Sequence, residues 1–355
     1  MLEMEFDSTK DTSSEKKMKL GFFRLSLRRW RRIKIVLLLL VFVFCICIVD
    51  LRTIFSEISF ALFGHPNFAI ELPVRNLDSC HQEIHFLEHQ SVNEELEITL
   101  EYLEVLYGNR SLGGGHFTPV PPDMCSSVGR TAVILPYRNR KKHLLQYLYH
   151  VLPKLIRQQI DFTIFVIEQN EGSTFNRGMI RNIGFVEVMK YGQYDCFIFN
   201  DVDTVIEDDR NVFYCNPSAV RHLMSGLDRH NYRMPYFSLV GGIIGFTPEQ
   251  FKKINGYSNL FFLWGAEDDD LYRRIIAEDL MIERPPNPIG YVTTLKHKQD
   301  PVSDARLRIY RSLDGYYKSE GLNSLEYKLL DIHKMRLFTR IYVDVDENAI
   351  RKRFF

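Results

Sequence analysis

The strongest chemical signal in the chain is Asn200-Asp201-Val202-Asp203, which follows the apolar run Cys196–Asn200 (CFIFN). Carboxylates at i and i+2 after a buried strand share a side. Two like charges held together there are costly without a cation, and a hard divalent metal shared with phosphate oxygens resolves that cost. Asp-x-Asp also occurs as an ordinary loop or cap, so the preceding hydrophobic run gives the pattern its weight. A second acidic cluster is Trp264-Gly265-Ala266-Glu267-Asp268-Asp269-Asp270, ahead of the helix-spaced Leu271, Ile275 and Ile276. Acids at a helix start are favoured by the dipole, but four in a row exceed that need. A carboxylate placed here suits deprotonation of a sugar hydroxyl, and Trp264 offers a ring face for a sugar. Gly241 and Gly242 are positions where a ligand can approach the backbone. Pro136-Tyr137-Arg138-Asn139-Arg140 puts two arginines after an apolar run, as a pyrophosphate site requires, and Phe175-Asn176-Arg177 repeats the aromatic-plus-arginine pairing. His297 is an ordinary structural histidine in isolation; beside an Asp-x-Asp it becomes a candidate metal ligand.

These residues must be presented by elements that the patterning also predicts. Residues 131–136 (TAVILP), 161–168 (DFTIFVIE) and 196–200 read as buried strands. Between them, Leu144, Leu145, Leu148, Val151, Leu152 and Leu155 recur at helical spacing, with Pro153 as a kink point, and residues 175–190 read as a second helix. Alternating strand and helix predicts an α/β fold with a mostly parallel sheet, whose ligands sit past the carboxyl ends of the strands. A charged amphipathic stretch over 92–107 reads as a short helix. No internal repeat or low-complexity tract is present.

The chain has 355 residues, with 45 Lys+Arg and 45 Asp+Glu and 45% hydrophobic residues. That composition excludes a disordered, collagen-like or strongly basic nucleic-acid-binding chain. The zero net charge is a sum of unequal parts: residues 1–49 hold 10 basic and 5 acidic residues (+5), Asp50 adds −1, and residues 51–355 hold 35 basic and 39 acidic (−4). Nine positive charges between Lys16 and Lys34 run into fifteen uncharged residues, 35–49. Extended by Ile33 and Leu51, this reads as a signal-anchor over 33–51. Its uncharged core spans roughly 22 Å at ~1.5 Å per residue, which suits a thin early-secretory or Golgi-type membrane. No small-residue cleavage pattern follows, which argues against a removed signal peptide. The basic flank should stay cytosolic, leaving residues 52–355 lumenal. Cys45 and Cys47 lie in the apolar run. The other four cysteines, Cys80, Cys125, Cys196 and Cys215, suit two disulfides in an oxidising lumen. Proximity favours Cys80–Cys125 and Cys196–Cys215, although four cysteines allow three pairings. Asn109-Arg110-Ser111 is a glycosylation sequon in a glycine-rich surface stretch.

Taken together, VILPYRNRKKHL, FNRGMIRNIGF, CFIFNDVD, the VGG ahead of FTPEQFKKINGYSN, WGAEDDD and EGLNSLEYKLLD resemble the animal β1,4-galactosyltransferases, in the order that family has them. These are inverting, metal-dependent glycosyltransferases of the Golgi. The resemblance implies a single GT-A-like catalytic domain over 113–355, behind a basic cytosolic tail (1–32), the anchor (33–51) and a stem (52–112). It implies that Pro136, Tyr137, Arg138, Arg140, Phe175 and Arg177 hold the uridine and diphosphate, with Asp201, Val202, Leu239, Gly242, Trp264 and Glu267 also facing the donor. Asp203 and His297 match the metal ligands for Mn2+, with Mg2+ as the alternative. Asp268 matches the general base. Tyr236, Asp269, Arg306, Leu307 and Tyr310 match the acceptor site, Arg306, Leu307 and Tyr310 forming its N-acetyl pocket. The four lumenal cysteines fall where the family has its two disulfides. The implied partners are UDP-GalNAc or UDP-Gal and a GlcNAc-terminated acceptor, at a single-pass type II Golgi membrane location. Whether the chain binds a modifier protein of the kind some family members use is not indicated by the sequence.

Several positions depart from the family pattern. Thr294 stands where a methionine metal ligand is usual, and a hydroxyl is a harder, weaker ligand. Leu263 and Ala266 replace glycines beside the tryptophan, and Leu307 replaces an aromatic. Leu239 stands where galactose-specific members have tyrosine. In the family a smaller residue there goes with N-acetylgalactosamine transfer, so the expected donor is UDP-GalNAc ahead of UDP-Gal. A xylose-directed galactosyltransferase, faintly suggested by Tyr272-Arg273-Arg274-Ile275, and a catalytically weak lectin-like relative are the competing readings.

Overall fold

A computed structural model of the chain describes residues 86–119, 129–298, 301–312 and 316–354. The anchor at 33–51, the basic tail, most of the stem, and Cys45, Cys47, Cys80 and Cys125 lie outside the described residues. Among those described, no helix is long and apolar enough to cross a membrane.

The chain enters through α1 (Leu100–Tyr107), capped by Thr99, whose side chain accepts from the Tyr102 N–H. The amphipathic stretch expected over 92–107 is thus helical only in its last part. Two short strands follow, β1 (Ser111–Gly113) and β2 (His116–Phe117). The alternating unit comes next: β3 (Arg130–Tyr137), α2 (Lys141–Arg157), β4 (Asp161–Gln169), α3 (Arg177–Val188) and β5 (Cys196–Asn200). The interiors of β3 and β4 are buried without a break, as expected of strands covered on both faces. Their side chains alternate between two cores. Val133, Leu135, Ile164 and Val166 meet Leu148, Val151 and Leu155 of α2, while Ala132, Ile134, Phe165 and Ile167 meet Met179, Ile180 and Ile183 of α3. Pro153 is accommodated inside α2.

The second half supplies β6 (Thr204–Ile206), β7 (Ala219–His222), β8 (Gly226–Leu227), β9 (Ile243–Phe246), α4 (Pro248–Lys253), α5 (Glu267–Ala277), β10 (Met281–Glu283), β11 (Tyr291–Thr294), α6 (Arg306–Ser312), β12 (Lys328–Lys334), β13 (Thr339–Asp344) and α7 (Glu347–Phe354). The large sheet runs β1-β2-β4-β3-β5-β9-β7-β10, with β13 also paired to β4 and β12 to β13; β6, β11 and β8 form a small separate sheet.

The expected mostly parallel sheet is corrected to a mixed one. Strands β13, β4, β3 and β5 run parallel to one another, but β9 lies antiparallel to both β5 and β7, and β2 and β12 are antiparallel to their partners. The reason is local: β9 starts from Gly241-Gly242 beside the end of β5, where the Asp201 N–H donates to the Gly242 carbonyl at 2.9 Å, and runs back along β5. Its beginning therefore meets the carboxyl ends of β3, β4 and β5 at one edge. Cys196, the first residue of β5, is bonded to Cys215 as proximity suggested.

Helix α5 is tied down from below. Arg274 is buried and pairs with Asp270 at 2.6 Å and with Glu320 at 2.7 Å. Glu320 also accepts from the Asn259 N–H. The EGLNS part of the C-terminal motif thus acts as architecture. It fixes the helix whose first turn carries the acidic cluster.

Candidate active site

Helix α3 begins at Asn176, whose side chain accepts from the Met179 N–H at 2.9 Å. That cap fixes the helix rotation so that Arg177 and Arg181, one turn apart, both face the end of β5. Arg181 donates to Asp201 at 2.5 Å and lies over the Tyr257 ring; Arg177 lies 3.7 Å from the same Asp201 oxygen and donates to Glu267 at 2.8 Å. Arg177 thereby bridges the two acidic clusters. Burial works against its charge, but Asp201 and Glu267 outweigh this and raise its pKa. Arg138 donates to the Ser173 carbonyl at 2.7 Å and stacks over Phe175. Pro136 is buried and Tyr137 half-buried at the end of β3, and Arg140 caps the start of α2.

Asp203 lies across from His297, with Oδ2 to Nε2 at 2.7 Å. The other ring nitrogen, Nδ1, donates to the Lys298 carbonyl at 2.7 Å. Burial opposes charge on Asp203, but the His297 hydrogen bond and Arg177 hold its pKa below the usual range. Nδ1–H bonded to a carbonyl, with Nε2 turned to a carboxylate, is the arrangement that orients a histidine for a metal. A carboxylate oxygen and an imidazole nitrogen suit Mn2+ in donor chemistry. Thr294 contributes main chain: its N–H donates to Asp228 at 3.0 Å, and it pairs with Thr204 across β11 and β6. Among the described residues no third acidic, histidine or cysteine group joins Asp203 and His297.

Asp268 is the second residue of α5, in its first turn. Its Oδ1 accepts from the Asp269 N–H at 3.0 Å, and no lysine or arginine pairs with it among the described residues. Burial first, and then Glu267 and Asp269, push its pKa up to about 7. A side chain built on Gly241 would come within 2.8 Å of Asp268 Oδ2, so the bare main chain of Gly241 is the wall against which the carboxylate rests. Gly242 takes φ +79°, a conformation open to glycine. Val202 is buried beneath the site and Leu239 packs against the same core. Burial first, and then the negative charges of Asp268 and Asp269, raise the pKa of Tyr236.

Trp264 is 37% exposed and held by main chain: its N–H donates to the Pro301 carbonyl and its carbonyl accepts from Ser303. Arg306 lies beside Gly265 at the start of α6, Leu307 is 50% exposed, and Tyr310 stacks under Arg273 at 3.3 Å. Leu263 and Ala266 take φ +68° and +73°, so the two glycine replacements carry left-handed backbone. Asn109 is exposed on the short turn Gly108–Arg110.

With this geometry, comparison with known proteins is decisive. The chain is 37% identical over 272 residues to β-1,4-galactosyltransferase 4 of Homo sapiens, covering 76% of this chain and 77% of that one. The chain belongs to the β-1,4-galactosyltransferase family. It matches the N-terminal region of glycosyl transferase group 7 over residues 80–216 and the N-terminal domain of galactosyltransferase over 221–298. A β-N-acetyl-D-glucosaminide β-1,4-N-acetylglucosaminyl-transferase of Lymnaea stagnalis is 46% identical over 184 residues, 52% of this chain and 37% of that one. The catalytic domain of Drosophila β1,4-galactosyltransferase 7, solved with xylobiose, superposes with a TM-score of 0.56 at 27% identity, over 64% of this chain and 98% of that one. A variant of that enzyme is known with manganese, UDP-Gal and xylobiose. This galactosyltransferase-family chain is therefore a glycosyltransferase of GT-A-like fold.

Sequence reasoning did not single out Arg181, Tyr257, His222 or Arg284. Arg181 had a signal, its one-turn spacing from Arg177. The other three had none, because only tertiary packing brings them to this edge.

Two substitutions check this site. Gly241→Ala should lower kcat about a hundredfold by displacing Asp268, in a protein with unchanged circular dichroism. Ala266→Gly should stabilise the protein by about 1 kcal/mol in urea unfolding, because it removes a side chain from left-handed backbone; an unchanged midpoint would contradict that strain.

Proposed function

We propose that the protein is an inverting β1,4-glycosyltransferase that moves N-acetylgalactosamine, ahead of galactose, from its UDP-sugar to the 4-hydroxyl of a terminal GlcNAc. The observation that carries this reading is Asp268: a half-buried carboxylate with a raised pKa, set against Gly241, and acted on by the Arg177 charge that also acts on Asp203. A base poised near neutrality is best matched to taking a proton from a sugar hydroxyl. Asp268 accepts that proton as the acceptor oxygen attacks C1 opposite the leaving UDP, so the anomeric centre inverts in a single displacement. Asp203 and His297 would hold Mn2+, or Mg2+, which when bound offsets negative charge on the diphosphate. Arg138, Arg140 and Phe175 line the nucleotide side. Arg177 keeps Asp201 and Glu267 in place. Trp264 closes over the donor, residues 301–312 build the acceptor side, and together they exclude water.

The donor preference rests on Leu239, which leaves room at C2 and supplies no phenol. The identity with the Lymnaea enzyme supports a second donor reading, transfer of N-acetylglucosamine, within the same chemistry. The basic flank before residues 33–51 supports a Golgi type II membrane placement with a lumenal catalytic domain.

Asp268→Asn should lower kcat by roughly a hundredfold to ten-thousandfold. In the native enzyme the base works only when ionised, so kcat/KM should fall tenfold per unit below about pH 7 and level off above it. The sign of the stability effect is opposite to that of activity. A carboxyl whose pKa is raised on folding stabilises the fold when protonated and loses that contribution as pH rises through about 7. Asp268→Asn should therefore melt no lower than native protein at pH 8. Retained transfer in this variant would remove Asp268 as the base. A panel of UDP-GalNAc, UDP-Gal and UDP-GlcNAc against GlcNAc- and xylose-terminated acceptors, read by mass spectrometry, tests the substrate. Leu239→Tyr should shift the ratio towards UDP-Gal, and an unchanged ratio would sink the role given to Leu239.

A further inference from the structure

We infer that Arg284 and His222 are positioning residues that set, from behind, the main chain carrying residue 239 and the wall behind Asp268, and so tune both turnover and discrimination at the donor sugar's C2 substituent. The inference rests on the reading of Asp268 as base and of residue 239 as the donor's neighbour.

The segment from Tyr236 to Gly242 belongs to neither a helix nor a strand. Its carbonyls therefore need partners from elsewhere. Arg284 supplies two: one guanidinium nitrogen donates to the carbonyls of Phe237 and Leu239, both at 2.8 Å. His222 supplies a third, Nε2 donating to the Gly241 carbonyl at 2.8 Å. The two residues are themselves joined, Arg284 Nε to His222 Nδ1 at 2.9 Å. Their adjacency follows from strand register. Glu283 pairs with Arg221 across the parallel β10 and β7, so the next residue of each strand stands side by side.

The chain of bonds has one direction. An arginine nitrogen can only donate, so His222 Nδ1 accepts and Nε2 carries the proton. A proton on both nitrogens would set two cationic donors against each other. Burial first, and Arg284 second, depress the His222 pKa to about 3, so the neutral tautomer persists at working pH. Arg284 also covers the Phe237 ring. One guanidinium and one imidazole thus hold three carbonyls within five residues. That stretch contains Leu239, the donor-discriminating position, and ends at Gly241, whose missing side chain gives Asp268 its place. Neither Arg284 nor His222 contacts the acidic cluster or the Asp203–His297 pair. Their effect on chemistry passes through the main chain.

The test uses the full-length chain in detergent, comparing Arg284→Met, Arg284→Lys and His222→Gln with native protein. UDP-GalNAc and UDP-Gal are compared on a GlcNAc acceptor, and UDP binding is measured by calorimetry. Arg284→Met should lower kcat about tenfold and change the GalNAc-to-Gal ratio of kcat/KM about threefold or more, with UDP affinity unchanged. Arg284→Lys should recover part of both. His222→Gln keeps a donor for the Gly241 carbonyl and should retain most of kcat. Cys215→Ser, which removes the Cys196–Cys215 disulfide and none of these hydrogen bonds, controls for general loss of stability. Native kcat and donor ratio in Arg284→Met would overturn the inference. So would a loss of activity that tracks melting temperature as in Cys215→Ser with no change of ratio. Should Arg284→Met fail to fold, Arg284→Lys and His222→Gln carry the same readouts. Asp268→Asn, run alongside, separates failure of the base assignment from failure of this inference, because donor ratio and UDP affinity do not depend on which carboxylate takes the proton.

Discussion

The site depends on neutralising one group of carboxylates so that another is left for chemistry. Asp201, Asp203, Glu267, Asp268 and Asp269 converge on one edge of the sheet, and so much negative charge would not pack without cations. Arg177 and Arg181 solve this from one helical face. Arg181, itself buried, pairs with Asp201, and Arg177 bridges Asp201 to Glu267. Asp203 is left facing His297, and Asp268, with no ion-pair partner among the described residues, has a raised pKa. The same two arginines thus separate a carboxylate suited to a metal from one suited to a proton.

The rest of the fold serves that separation. Asn176 sets the rotation of α3, and α3 packs on the face of the sheet formed by Ile134, Phe165 and Ile167. The Asp270–Arg274–Glu320 cluster pins α5, so that the first turn of that helix arrives opposite Arg177. The reversed strand β9 brings Gly241 and Gly242 to the same edge, where a helical crossover would have carried the chain away. Gly241 then contributes space, and Gly242 contributes a backbone conformation. The part of the site around Trp264 is built differently. Trp264 is joined by main-chain bonds to residues 301–303, and Arg273 stacks on Tyr310, which ties α6 to α5. Trp264 is 37% exposed, whereas the interiors of β3 and β4 are buried, and segments with exposed contacts open most readily.

Much of this was legible before folding was considered. Short, largely apolar runs at 131–136, 161–168 and 196–200 pointed to buried strands, and each ends next to residues of the candidate site. The acidic clusters were visible because burying several carboxylates demands a reason. The sheet is mixed where the patterning suggests a mostly parallel one, because periodicity reveals a strand but not its direction: nothing in Ile243–Phe246 shows that it runs against β5. The helix expected over 92–107 was overextended because charged amphipathic spacing does not locate a cap, and Thr99 provides it.

By itself, the sequence determined the chemical repertoire: which carboxylates, arginines and histidine are available, which strands end beside them, and which positions depart from the family, Leu239, Leu263, Ala266 and Thr294 among them. Tertiary structure alone decided how those groups divide the work. Whether an aspartate is ion-paired, faces a histidine or stands unpaired depends on contacts between residues far apart in the chain. Arg181 meets Asp201, Arg274 meets Glu320, and Arg284 meets His222 and the carbonyls of Phe237 and Leu239 only after the strands have chosen their order. Electrostatic environment is a property of distance and burial, and the linear chain specifies neither until it is folded.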